Sequence, residues 1–99
     1  MGNRTVKWTK RAKRRFDEIA TWYMENVETL ACQHFIEDTT NAIKILRESP
    51  NIGHLDTVTS TNSKKLYVYT IHRLMQIEYR FTRNSITILG FRSTRMLLQ

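Results

Sequence analysis

Apolar residues recur along this chain first at helical spacing and then at strand spacing, and the period changes near residue 50. Ala12, Phe16, Ile19, Ala20, Tyr23 and Val27 make one stripe, which predicts an amphipathic helix over residues 10–26 with Thr9 as its N-cap. Cys32, Phe35, Ile36, Thr39, Ala42 or Ile43, and Leu46 make a second stripe. It predicts a helix over residues 29–48, antiparallel to the first across the short break from Asn26 to Thr29. In "SPNIG" the helix must stop, because Pro50 has no N–H and disfavours a helical Ser49, while Gly53 permits a turn. Residues 54–63, "HLDTVTSTNS", are small and polar and read as an exposed loop.

The remainder is rich in β-branched and aromatic residues. "KKLYVYTIH", "LMQIEYRF" and "SITILGF" are three strand-length runs, and within the second Met75, Ile77, Tyr79 and Phe81 alternate with Gln76, Glu78 and Arg80. That alternation predicts one buried and one wet face. With "TVKW" at residues 5–8 as a short first strand, the order is β-α-α-β-β-β. The expected fold is therefore α+β and two-layered, an antiparallel sheet packed on an N-terminal helical hairpin, in a single domain over residues 1–99.

Charge changes the picture from fold to partner. The formal net charge is +7 on 99 residues, a field that attracts polyanions or acidic proteins. Its distribution is uneven: residues 1–15 carry seven basic and no acidic side chains, residues 16–49 two basic and seven acidic, and residues 50–99 seven basic and two acidic. Lys10, Arg11, Lys13, Arg14 and Arg15 crowd the first turns of the first helix, where the helix dipole disfavours cations. They mark either a partner-binding surface or a solvated face. One cysteine, no signal segment and no apolar run of membrane-spanning length lead to the expectation of a cytoplasmic protein.

Enzymatic motifs are sparse. Cys32 lies on an apolar stripe, where a thiol behaves as a small hydrophobe, and His34, His54 and His72 have no metal-ligand spacing, so neither metal nor cofactor is expected. No nucleophile elbow or glycine-rich phosphate loop occurs. The helical carboxylates read as a solvated exterior. What is left is a basic sheet: Lys64 and Lys65 open the first long strand, Arg73 and Arg83 lie at turns, Arg80 sits on the wet face, Arg92 and Arg95 follow the last strand, and Tyr67 and Tyr69 interleave. Such a surface can hold phosphates and stack bases, stabilise charge during attack of a ribose 2′-hydroxyl, or bind an acidic protein.

The element order, with "VKWTKRAKRRFDEIATWY", "SPNIG" and "IEYRF…SITILGFRSTR", resembles the RelE/ParE superfamily, the toxin halves of bacterial type II toxin-antitoxin pairs. The resemblance implies one of two activities, messenger RNA cleavage on the ribosome or poisoning of DNA gyrase. For the ribonuclease branch the match by position gives Arg92 alone; a divergent, metal-independent ribonuclease would use Arg92, Arg80 and Lys65 as its catalytic candidates for electrostatics, with a tyrosine or the ribosome aiding proton transfer. The sequence departs from that branch where Tyr67 and Tyr69 stand in place of lysines, Gln76 stands near an expected arginine, and no tyrosine follows Arg92. The ending "FRSTR", Pro50 with Gly53, and "YR" at Tyr79 and Arg80 are closer to ParE. Lys64, Arg73, Arg83, Arg95, Tyr67 and Tyr69 are the expected target or nucleic-acid contacts. Arg11, Arg14 and Arg15 are expected contacts for an antitoxin whose acidic segment covers the basic surface. A non-catalytic or degenerate binding module is the remaining alternative.

Overall fold

The computed structural model describes residues 4–72 and 75–93. Strand β1 (Thr5–Trp8) leads into helix α1 (Lys10–Asn26), helix α2 (Thr29–Glu48), a 3₁₀ turn (Pro50–Ile52), and strands β2 (His54–Leu55), β3 (Tyr67–His72), β4 (Met75–Phe81) and β5 (Ser85–Ser93). Among the described residues no helix is long and apolar enough to cross a membrane.

The helices form where the apolar period put them, and their ends have local causes. Thr9 is extended, and its hydroxyl accepts from the Ala12 amide at 3.0 Å, which satisfies one of the free N–H groups that open α1. Ala12 and Ile19 of α1, with Cys32, Phe35, Thr39, Ala42 and Leu46 of α2, are buried against the sheet. The Thr39 hydroxyl donates to the Phe35 carbonyl at 2.8 Å, so its burial leaves no polar group unpaired. Val27 and Ile36, read as part of the apolar stripes, lie outside the core at 54% and 40% exposure.

The two-layer α+β arrangement holds, with two additions that the apolar pattern does not reveal. The sheet runs β1-β5-β4-β3-β2, and β1 pairs parallel with β5, so the sheet is mixed. β2 lies inside the stretch read as loop; His54 pairs with Val68 and Leu55 with Tyr67. Pairings of this kind depend on partners distant in the chain, and a two-residue strand has no period to detect.

A bulge in β5 decides what the sheet presents on each side. Glu78 pairs with Gly90 and Tyr79 with Ile88, so Leu89 is an extra residue. A strand reverses its faces with every residue, so this single insertion shifts the phase. Ile86, Ile88 and Phe91 thereby all reach the core, and Arg92 turns to the open face, whereas unbroken alternation from Ile88 would send it towards the helices. Aromatic rings seal the interior: Phe16 contacts Trp8, Phe35 and Phe91 at centroid distances of 5.5, 5.1 and 5.8 Å. At the far end the buried Tyr79 hydroxyl donates to the Pro50 carbonyl at 2.5 Å, fastening the helix exit to the sheet. Gly53 is needed for that closeness, since a Cβ there would lie 2.3 Å from the Tyr79 Oη.

Candidate binding cleft on the open face

The helices cover one face of the sheet, and the 56–66 loop folds over part of the other. The loop is closed on itself: the Asp56 amide donates to Leu66 O at 2.8 Å, and the Thr61 amide to Lys64 O at 2.8 Å. Between loop and strands lies a cleft of about 520 Å³, with Arg11, Lys64, Glu78, Arg80, Leu89 and Arg92 among its walls. A smaller recess of about 310 Å³ shares Lys64 and Arg80 with it and adds Lys65 and Tyr67.

At the centre is Arg92, which lies within β5, not beyond it. Its Nε donates to Glu78 Oε2, and its Nη2 donates to Asp56 Oδ2 at 2.7 Å. From the other side Arg11 Nη1 stands 3.6 Å from Glu78 Oε1 and 3.5 Å from the Leu89 carbonyl. The result is a chain of alternating charges, Asp56, Arg92, Glu78, Arg11, drawn from a loop, two strands and a helix. The hydrogen bonds to Asp56 and Glu78 raise the Arg92 pKa further, so it stays charged at any accessible pH. The Arg92 bond is also the main reason the Asp56 carboxyl is lowered to about 2, aided by Thr59 and by the Val58 amide.

The alternation along β4 puts Glu78 on the wet face, yet the structure buries it there. Its side chain is only 9% exposed, because Arg92 and Arg11 flank it and Gly90 lies beneath. A Cβ at position 90 would come within 2.7 Å of Glu78 Oε1 and 3.3 Å of Arg11 Nη1, so this carboxylate position depends on the absence of a side chain at Gly90.

The other candidates separate into groups. Lys64, Lys65 and Arg80 are exposed on or beside the cleft. Arg83 is exposed in the β4–β5 turn and is not among the residues lining either recess. Arg73 and Arg95 lie outside the described residues. Tyr69 packs against the core, and Tyr67 does so while also lining the smaller recess with Lys64, Lys65 and Arg80; its ring lies 5.8 Å from Tyr79 and 5.0 Å from Phe81 between centroids. Of the three arginines at the start of α1, Arg11 enters the cleft, Arg15 stands 3.6 Å from Glu18, and Arg14 lines a shallow depression beside Trp22.

Sequence patterning does not mark Asp56, Glu78 or Gly90 as site residues. One signal was present: Asp56 and Glu78 are the only acidic residues in the basic half from residue 50 onward, and both bond Arg92.

A helical hairpin across one face of a five-stranded mixed sheet is the fold of the RelE/ParE superfamily toxins. The chain belongs to the ParE toxin family of type II toxin-antitoxin systems, which matches it over residues 6–98. Among solved structures it is similar to the chromosomal ParDE TA system of P. aeruginosa, with a TM-score of 0.73 at 19% identity, covering 94% of this chain and 98% of that one. It is also similar to the YoeB dimer of Staphylococcus aureus, with a TM-score of 0.60 at 15% identity over 91% and 95% of the two chains. No curated protein matches the chain significantly in sequence.

Proposed function

We propose that this toxin arrests growth by binding DNA gyrase, as ParE-like proteins do, and does not cut messenger RNA. The observation that carries the reading is the bonding of Arg92 to two carboxylates. A ribonuclease of this fold needs an arginine free to meet the charge that develops on the phosphate, with groups able to move protons beside it. Here the guanidinium is committed to Glu78 and Asp56, and the residues lining the cleft include no histidine and no tyrosine. Glu78 is itself bonded by Arg92 and faced by Arg11, which leaves it poorly suited to act as a base.

On this reading Arg92 is a strut, and exposed Lys64, Lys65, Arg80 and Arg83 supply the surface for the target. A cognate antitoxin silences the protein by laying an acidic segment over the same face, with Arg11 as a contact and Arg14 and Arg15 extending the basic surface along α1. The pair would act in the cytoplasm and stabilise the plasmid or chromosomal segment that carries it.

The test is tight induction of the chain alone, with DNA and protein synthesis followed separately by pulse labelling. The expected result is that DNA synthesis fails first, and that joint replacement of Lys64 and Arg80 by alanine restores growth while the protein stays folded. Protein synthesis stopping first, with messenger RNA cut within codons and rescue by Arg92→Ala, would establish the ribonuclease reading instead. Normal growth would identify a binding module.

A further inference from the structure

Asp56 uses its two carboxylate oxygens differently. Oδ1 accepts from the Val58 amide at 3.0 Å and the Thr59 amide at 3.5 Å, closing the turn that starts the 56–66 loop, while Oδ2 reaches across to Arg92. Among the described residues the other hydrogen bonds of this loop close within it, as in those from Ser60 to Asp56 and from Thr61 to Lys64. The bond from Arg92 therefore ties the loop to β5.

The two carboxylates on Arg92 are held unequally. Glu78 belongs to a central strand and is boxed in by Gly90 and Arg11. Asp56 belongs to a loop that includes Val58, which is 89% exposed, so moving it disturbs little packing. Around the pair the cleft offers the cations Arg11, Lys64 and Arg80 and the apolar surfaces of Leu66 and Leu89. Its lining contains no aromatic ring on which a base could stack, whereas side chains of an acidic, partly apolar peptide match both kinds of surface.

We infer that Asp56 is an internal occupant of a carboxylate-binding site: an acidic peptide entering the cleft takes over the Arg92 edge that Asp56 holds, and releases the 56–66 loop. This rests on the reading above in which an acidic partner covers the open face. Exchanging one carboxylate for another on Arg92 is nearly neutral in itself. The entering peptide gains by reaching Arg11, Lys64 and Arg80 at the same time.

Asp56→Asn is the discriminating variant. Its amide oxygen can still accept from Val58 and Thr59, while an NH₂ in the place of Oδ2 cannot accept from Arg92, so the loop turn survives and the tie is lost. The probe is a fluorescent peptide of alternating glutamate and leucine, titrated by anisotropy at low salt. Asp56→Asn should bind it about fivefold tighter than wild type. Glu37→Gln, the same change in net charge on the exposed side of α2, should give no such gain. A second readout uses the unaltered protein: saturating peptide should speed hydrogen exchange at the Asp56 and Leu66 amides, whose bonds close the base of the loop. Equal gains in both variants, or unchanged exchange under saturation, would overturn the inference. An oligouridine of equal charge binding Asp56→Asn more tightly than the peptide would overturn the choice of partner. No peptide binding by either protein would remove the acidic-partner reading along with the inference. None of these readouts depends on gyrase, so failure of the gyrase reading is seen separately in the labelling experiment.

Discussion

On β4, Ile77 and Glu78 are adjacent and both are buried, but on opposite faces of the sheet and by different means. Ile77 is covered by helices whose apolar stripes exist to cover it. Glu78 is covered by Arg92, Arg11 and the bare backbone of Gly90. The helix-facing side is held by area removed from water, which is non-directional and tolerant of small shifts. The open side is held by oriented charges, for which the loss of one partner leaves another uncompensated. Structure on the first face thus comes from many residues acting alike, and on the second from four residues acting in series.

The largest effect should come from the apolar face. Ile88→Ala, at the middle of β5, should cost about 3 kcal/mol of stability by chemical denaturation, through lost burial and the cavity left behind. A loss below about 1 kcal/mol would mean that the helices collapse onto the gap and that this face is only loosely specified.

Gly90→Ala tests the open face at its tightest point and should cost about 2 kcal/mol, since the added methyl must dislodge the Glu78 carboxylate. In a Glu78→Ala background the same methyl should be nearly harmless. A double-mutant cycle that showed simple additivity would separate Gly90 from the charge chain.

Tyr79 belongs to the apolar face but carries one directed bond, so it stands between the two regimes. Tyr79→Phe should cost about 1 kcal/mol by leaving the Pro50 carbonyl without its donor. Burial pushes the Tyr79 hydroxyl up to about 12, above its usual 10. Its stabilisation should therefore be complete below pH 10 and disappear as pH rises from 10 to 12, an alkaline loss that Tyr79→Phe would not show.

Asp56 should give the opposite dependence. Its carboxyl lies near 2 in the folded protein against 3.8 ordinarily, so the ion pair with Arg92 contributes above pH 4 and is lost between pH 4 and 2. The melting temperatures of wild type and Asp56→Asn should converge over that interval. The smallest effect belongs to Arg15→Gln, which breaks only a partly exposed pair with Glu18 and should change stability by less than about 0.5 kcal/mol.

The same comparison explains what could be read from sequence. The helices, the three long strands and the face assignment of Met75, Ile77, Tyr79 and Phe81 follow from periodicity, because burial by area repeats along an element. The charge chain does not repeat. Asp56 lies in a stretch with no period, and Arg92 faces the cleft only because Leu89 is extra, so a residue count from Ile88 gives the wrong side. Tyr67 and Tyr69 alternate with Val68 and Thr70 and so share the helix-facing side of β3, where both pack against the core, while Tyr67 also borders the recess that holds Lys64, Lys65 and Arg80. Arg80 and Lys64 were legible as exposed cations, and Arg11 as a cation in an unfavourable place on a helix.

The parallel pairing of β1 with β5 bears on the order in which the molecule comes into being. Thr5 to Trp8 lie beside Ser85 to Ile88, and α1 rests mainly on β5, the last of the described strands to be made. During synthesis the helical hairpin is complete long before it has a sheet to rest on, and its apolar stripes wait for strands still to be made. The cleft needs Arg92 from that same strand. A chain on the ribosome can therefore carry its finished helical hairpin for an interval in which neither the sheet that buries it nor the charged cleft yet exists.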